Sequence, residues 1–427
     1  MPRAKVRRCG NCKRLKIKCV YPDDEPPPPA TYGPHEYESS ALTSKQNSPT
    51  FIFTGFDTRQ RFGSFGPFTP FEERLLETLD RTTLAYYANS RDPAHLYAVF
   101  EMVPELFGMS ELMKRSMYAY SSMLLIAESH PKLLLGDSSD ATEGVLQLHR
   151  FGFANYNLQV SQISLLMTRL SSGEITNQEV TILIAATMFL MSIVGSGTSE
   201  QMPLVNFTTG KGDFLTLLRG VRETHRMAQA YAYVPMFDLY HKDTYTHPVP
   251  MLPLFRQYNE LYIHHMQIDE FEFDAEQVEF MTGVLKLINR SVYLSAHDND
   301  DLEFFRVFAR GEPDWFDLVY DLNMMGLNCL FIMAAYCLGF NYYFVRHDNM
   351  WISYMRWYKT YCFAQYGGWY FTSDEPLYSL MVDKHYVFAD MDQLVAFDPV
   401  HLDMVTPYRP GNAPAAGNCS AAIDAFS

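Results

Sequence analysis

From Pro70 to about residue 395, apolar residues recur at intervals of three and four, and strict apolar–polar alternation is rare, so this span is committed to helices rather than sheet. The helix starts agree. Asp140-Ala141-Thr142-Glu143 and Thr176-Asn177-Gln178-Glu179 each place an oxygen-bearing residue three positions before a carboxylate. That pairing satisfies two end-of-helix N–H groups reciprocally, and each instance precedes a long apolar-rich run. Val278, Met281, Leu285, Ile288 and Val292 follow helical spacing while Glu276, Glu279, Lys286 and Arg290 fall on other faces, which predicts an amphipathic helix lying on a core. The runs Ile182–Val194 and Met324–Val345 are apolar on every side and predict helices enclosed by others. The second is apolar enough to raise the question of a membrane span. Asn328, Asn341 and two glycines inside it, with Asp321 and Arg346 at its flanks, favour a buried core helix and no membrane. Strand signals are confined to Tyr370–Thr372 and Tyr386–Phe388. The expected fold class is all-α, with one large helical domain over 71–395.

Charge divides the chain into two unequal parts. Residues 1–22 carry eight cations (Arg3, Lys5, Arg7, Arg8, Lys13, Arg14, Lys16, Lys18) and no acid, while the remainder holds 26 of the 34 cations against all 49 acids, a net of −23. A body that acidic repels nucleic acid, so any DNA contact falls to the head and leaves the body to partners or small ligands. Between the two, residues 23–70 turn to Pro, Ser, Thr and Gly, including Pro26–Pro29, and read as a linker. Phe51, Phe53, Phe56, Phe62, Phe65, Phe68 and Phe71 recur near its end. They are either a partner-binding motif or a segment packed over the body, and the second is expected. The linker shows no heptad repeat, so a coiled coil is not expected there. Residues 396–427, Gly/Ala/Pro-rich from Pro407, read as a largely disordered tail. Seven cysteines, an odd number and scattered outside the head, do not form a disulfide framework and fit a reducing compartment.

Three of those cysteines, Cys9, Cys12 and Cys19, are spaced C-x2-C-x6-C within RRCGNCKRLKIKCVYP. Two thiolates on one short turn and a third about two helical turns away form part of a tetrahedral zinc cage, and interleaved cations suit a phosphate backbone. Read without zinc, the same residues are a solvated basic tail with free thiols. The spacing and flanks resemble the fungal binuclear zinc cluster, whose six cysteines in two C-x2-C-x6-C halves hold two zinc ions and present a short helix to the DNA major groove. The match is to the second half of that cluster, because Cys19 runs into Val20-Tyr21-Pro22 and no further cysteine follows until Cys329. The resemblance therefore implies zinc as cofactor with an incomplete ligand set. The expected cause is an N-terminal truncation, set beside a true three-cysteine variant and a chance match. By the same resemblance Arg7, Arg8, Lys13, Arg14, Lys16 and Lys18 contact DNA, positioning it rather than reading its sequence, with binding weak or lost. The basic run also fits a nuclear localisation signal.

In the body, Leu125–Pro131 (LIAESHP), His149–Leu158 leading a long helix, and Lys211–Val221 (KGDFLTLLRGV), with Trp351 and Trp357 a looser match, are similar to segments of a known family. Through them the body resembles the fungal-specific regulatory domain of sterol uptake control proteins. The resemblance implies a helical domain that takes a small apolar ligand such as a sterol or masks an activation function, with the transcription machinery or co-regulators as partners.

Enzyme readings find no constellation. His264-His265 lack the i, i+4 spacing that puts two imidazoles on one helical face, and read as a structural pair. Gly210-Lys211-Gly212-Asp213 lacks the leading glycine and following hydroxyl of a phosphate loop and reads as a turn. Gly195-Ser196-Gly197 lacks the frame of a nucleophile elbow. Asp298, Asp300 and Asp301 lack the spaced ligands of a cation loop, and the aromatics at Tyr342–Phe344 and Trp369–Phe371 read as core packing. The expectation is a nuclear zinc-cluster transcription regulator acting with RNA polymerase II, not an enzyme. The alternative is a DNA-independent helical module that senses a ligand or binds protein partners.

Overall fold

The computed structural model describes residues 68–87, 102–127, 141–197, 199, 202–207, 212–231, 248–268, 275–298, 304, 307–308, 313–342 and 348–400. These residues are 78% helical and include no strand, so the fold is all-α. They all belong to the unit Gly55–Ser427. The head, residues 1–22, lies outside them, as do 23–67 and 401–427.

In chain order the helices are α1 (Pro70–Tyr87), α2 (Val103–Met109), α3 (Glu111–Ala127), α4 (Ala141–Ser172), α5 (Asn177–Ser196), α6 (Phe214–Ala228), α7 (Pro253–Ile268) and α8 (Ala275–Asp298). They continue with α9 (Pro313–Tyr320), α10 (Met324–Gly339), α11 (Met350–Tyr366), α12 (Asp374–Tyr378), a π-helical turn at Ser379–Asp383, and α13 (Met391–Val395). α3 packs against α1, α2, α4 and α5, and α5 also meets α4 and α6. In the C-terminal half α7 lies on α8, α8 on α10, and α10 against α9 and α11.

Local chemistry sets several of these boundaries. α5 opens on the expected capping box: Glu179 N–H donates to Thr176 Oγ1 at 3.3 Å, and Thr176 N–H donates to the Glu179 carboxylate at 2.9 Å. The guanidinium of Arg169, near the end of α4, pairs with the same carboxylate and so fixes the α4–α5 corner. α4 begins at Ala141, and its expected cap Asp140 lies outside the described residues. In α8 Val278, Met281, Leu285, Ile288 and Val292 are buried while Glu276, Glu279 and Lys286 are exposed, as the spacing requires. α10 is buried along its whole length. Its cap is Asn323, whose Oδ1 accepts from Met325 N–H at 3.0 Å and Gly326 N–H at 3.1 Å. At Gly326 a Cβ would lie 3.1–3.2 Å from the backbone and Cβ of Leu318 and Val319, so glycine permits the 101° bend between α9 and α10.

Among the described residues one helix, Asn177–Gly195, is long and apolar enough to cross a membrane, and 61% of it is buried within the fold. The expected Met324–Val345 helix stops at Gly339, where Asn341 adopts a left-handed φ of 58°. Neither short strand signal forms a strand. Tyr370–Thr372 is the turn into α12, and Tyr386–Phe388 crosses the end of α10, where Phe388 N–H donates to Gly339 O at 3.0 Å. Among the described residues neither has a neighbouring strand to complete a ladder, and helix packing decides its path.

The core is one large cluster centred on α10, and a smaller one lies under α1, built from Leu75, Leu76, Phe107, Tyr118 and Leu148. Phe68 and Phe71 join the smaller cluster, their rings 6.0 Å from Phe107 and 5.0 Å from Phe151. The last two phenylalanines of the linker series thus pack on the body, while Phe51, Phe53, Phe56, Phe62 and Phe65 lie outside the described residues.

Candidate functional site

The most concentrated buried chemistry sits where α7, α10, α11 and α12 meet. Asp374 opens α12 yet is fully buried, although an acidic residue in a first helical turn is ordinarily solvated. Three side chains from three other helices aim donors at its carboxylate. Tyr258 (α7) donates to Oδ1 at 2.8 Å, Asn328 Nδ2 (α10) donates to the same oxygen at 2.8 Å, and Tyr358 (α11) donates to Oδ2 at 2.8 Å. Tyr262, one turn beyond Tyr258, donates to Asn328 Oδ1 at 2.8 Å and lies 3.4 Å from Cys329 Sγ. The Asn328 amide thus links Tyr262 to the carboxylate of α12, which Tyr258 reaches directly. Phe371, edge-on to Tyr258 and tilted against Tyr262, lies beside them.

Two effects oppose each other at Asp374. Burial pushes its carboxyl up to about 7, against hydrogen bonds from Tyr258, Tyr358, the Phe371 backbone and Asn328 that favour the ionised form. The neighbours are all driven toward their neutral forms. Burial first, and then the Asp374 charge, raises the Tyr258 and Tyr358 phenols well above the ordinary value. Burial pushes the Cys329 thiol up to about 12, and burial together with Asp374 pushes Cys362 up to about 11. Protonated thiols and phenols are poor nucleophiles and bases, so this arrangement acts as a clamp joining four helices around one titratable group.

A second polar joint involves Asp213 and Arg219 of the Lys211–Val221 segment. Asp213 caps α6 by accepting from Thr216 N–H at 2.8 Å, and it also accepts from Asn206 N–H at 2.8 Å and from the Tyr320 hydroxyl at 2.7 Å. Arg219 pairs with Asp317 at 2.7 Å and lies over the Phe316 and Tyr320 rings. These contacts bind α6 to α9. Trp351 is buried, and Trp357 stacks on Phe207 at 4.4 Å.

The residues that the sequence singled out for zinc and DNA, Cys9, Cys12, Cys19, Arg7, Arg8, Lys13, Arg14, Lys16 and Lys18, lie outside the described residues. Within them Cys329, Cys337 and Cys362 are free and buried, and no group of three or more His, Cys, Asp or Glu side chains could hold a metal ion. His265 stacks on Tyr370 at 4.9 Å, while its neighbour His264 is exposed. Comparison with protein-family models, curated proteins and solved structures finds no match for this chain.

The Asp374 cluster is absent from the sequence reading. Ser373-Asp374-Glu375-Pro376 looks like an ordinary exposed helix start, and its partners are scattered from Tyr258 to Tyr358 without a shared motif. The available signal was weak: two tyrosines four apart on α7, and an asparagine in the middle of an otherwise apolar α10.

Proposed function

We propose that the chain is a zinc-binding transcription regulator of the RNA polymerase II system, working in the nucleus. Residues 1–22 make the nucleic-acid contact, and the helical body sets activity through a co-regulator or a small apolar effector such as a sterol. The observation that carries this reading is C-x2-C-x6-C set among eight cations with no acid, joined to a body of net charge −23. Thiolates suit zinc, and Cys9, Cys12 and Cys19 supply three of the four ligands that a structural tetrahedral site takes, so a fourth must come from elsewhere. Bound zinc would contribute folding free energy to a segment too short to build a core. Arg7, Arg8, Lys13, Arg14, Lys16 and Lys18 neutralise phosphates, which holds the head on DNA without reading bases.

The test uses the full chain. Zinc affinity is measured by competition with a chelator, and binding to CGG-containing and scrambled duplexes is compared at two salt concentrations. The expected result is weak zinc binding with DNA association that is indifferent to sequence, falls steeply with salt, and disappears when Lys13, Arg14, Lys16 and Lys18 are replaced by alanine. Clear preference for the CGG duplex would show that three cysteines suffice for recognition. No DNA binding at low salt would reject the reading in favour of the second one, a DNA-independent helical module.

A further inference from the structure

α4 is the longest helix described, 32 residues or about 48 Å at 1.5 Å per residue. One face is buried against α3 and α5 through Leu148, Gly152, Asn155, Gln159 and Ile163. The opposite face exposes Leu146, Phe153, Leu158 and, at 61%, Leu165. From Phe151 to Thr168 the helix carries no charged residue, in a chain where 19% of residues are charged.

The exposed face has its own periodicity. Arg150, Ala154, Asn157, Ser161, Ser164, Thr168 and Ser171 are all exposed and alternate four and three apart, the 3.5-residue repeat of a seam that receives a second helix. Leu158 and Leu165 line one side of the seam, one heptad apart, and Leu146 and Phe153 line the other, also one heptad apart. The hydroxyls along the seam are already paired. Ser161, Ser164, Thr168 and Ser171 donate to the carbonyls of Asn157, Val160, Ser164 and Met167 at 2.9, 2.9, 3.0 and 2.9 Å. Covering them leaves no donor stranded, so the desolvation cost that normally protects a serine-rich surface is small here.

We propose that this face is a homodimer surface, on which two copies of the chain pack α4 against α4, antiparallel about a two-fold axis near Ser161. Three features select a second copy as the occupant. With the axis between Ser161 and Gln162, Leu158 meets Leu165 of the partner subunit and Leu165 meets Leu158 of the partner subunit, the self-complementarity that a two-fold interface requires. Small side chains at the seam let the backbones approach closely. Two bodies of net charge −23 repel across most approaches, and a charge-free stretch about 27 Å long lets them meet without stacking like charges. With the axis there the two helices overlap over residues 151–172, about 33 Å, and a width of about 10–12 Å gives a footprint on the order of 350 Å² on each copy, against about 800 Å² for a standard stable interface, so the dimer is weak and reversible. This inference does not depend on the DNA-binding reading.

Sedimentation of the full chain under reducing conditions tests it. The wild type is expected to shift from monomer to dimer as concentration rises through the micromolar range. The double variant Leu158→Glu/Leu165→Glu, with both sites exposed, should keep the helical circular dichroism and weaken the dimer by at least about tenfold. A wild type that stays monomeric, or a dimer indifferent to the double variant, would overturn the proposal. If the double variant loses helix, Ser161→Cys decides. Mild oxidation should produce more disulfide-linked dimer than in the wild type, and no excess would overturn the proposal.

Discussion

The hydroxyl of Tyr258 lies 2.8 Å from Oδ1 of Asp374, although 116 positions separate the two in sequence and both are fully buried. Tyr358 holds the other carboxylate oxygen at the same distance. The carboxylate therefore receives donors on both sides while no described cation pairs with it, and its protonation state enters directly into the stability of the α7–α10–α11–α12 joint.

The folded Asp374 carboxyl titrates near 7 because burial raises it from the ordinary 3.8. A raised pKa means that the folded state holds the proton more tightly than the unfolded chain. The associated stabilisation is complete below about pH 4, falls as pH rises through the window to about 7, and is flat beyond it. Asp374→Asn should remove that slope. The expected observation is that wild-type unfolding free energy, measured by chemical denaturation from pH 4 to pH 8, falls relative to the variant by at most about 1.4 kcal/mol per pH unit. A wild type that gains no stability relative to the variant as pH is lowered toward 4, or loses it, would mean that the three donors outweigh burial.

Tyr358→Phe removes one donor from the ionised carboxylate and nothing from the core volume except the hydroxyl. A hydrogen bond to a charged group contributes about 1.5–3 kcal/mol, so the variant should be destabilised by that order at pH 8, where Asp374 is ionised. At pH 5, where Asp374 is protonated in the folded state, the loss should be smaller. The upper end of the Asp374 window should also move to higher pH, since the lost donor favoured the anion. Equal losses at both pH values would show that the tyrosine serves packing alone.

How far the sequence was legible divides along a physical line. α5 and α8 could be read because their determinants are local: a cap at Thr176, and apolar residues at three- and four-residue spacing around Met281 and Leu285. The end of α10 could not be read in the same way. The apolar run continues past Gly339, and the stop comes from the left-handed turn at Asn341 and the crossing segment at Phe388. The Asp374 joint was invisible for a related reason. Asp374 and its three donors come from four separate helices, and nothing in any one segment signals that a carboxylate is buried against the others. The exposure of Leu158 and Leu165 on α4 likewise depends on which face α3 and α5 cover.

Tyr336 is fully buried in α10, stacked on Phe255 at 5.4 Å and Phe388 at 5.7 Å. Its hydroxyl has no hydrogen-bond partner among the described residues. A buried unpaired hydroxyl carries a desolvation cost of about 1–3 kcal/mol with nothing to offset it. Tyr336→Phe keeps the ring and removes that cost, so thermal unfolding should occur at the same temperature or a few degrees higher. A lower unfolding temperature would mean that the hydroxyl is hydrogen-bonded after all.

Gly339, the last residue of α10, is where the segment after the π turn crosses the helix. A Cβ there would lie 2.4 Å from Phe388 Cε2 and 2.8 Å from Cδ2, far inside contact distance, while the Gly339 carbonyl already accepts from Phe388 N–H. Gly339→Ala cannot be absorbed by a small rotation, because the Phe388 ring is fixed by Tyr336, Phe340 and Phe397 around it. Overpacking of this kind costs about 1–3 kcal/mol, and that is the destabilisation expected from urea denaturation. Phe388→Leu alone should also destabilise, by opening a cavity beside Tyr336. Since the two residues meet through the same atoms, the double variant should lose clearly less than the sum of the two singles. Additive losses would place the strain elsewhere on α10 and remove Phe388 as the reason that glycine stands at its end.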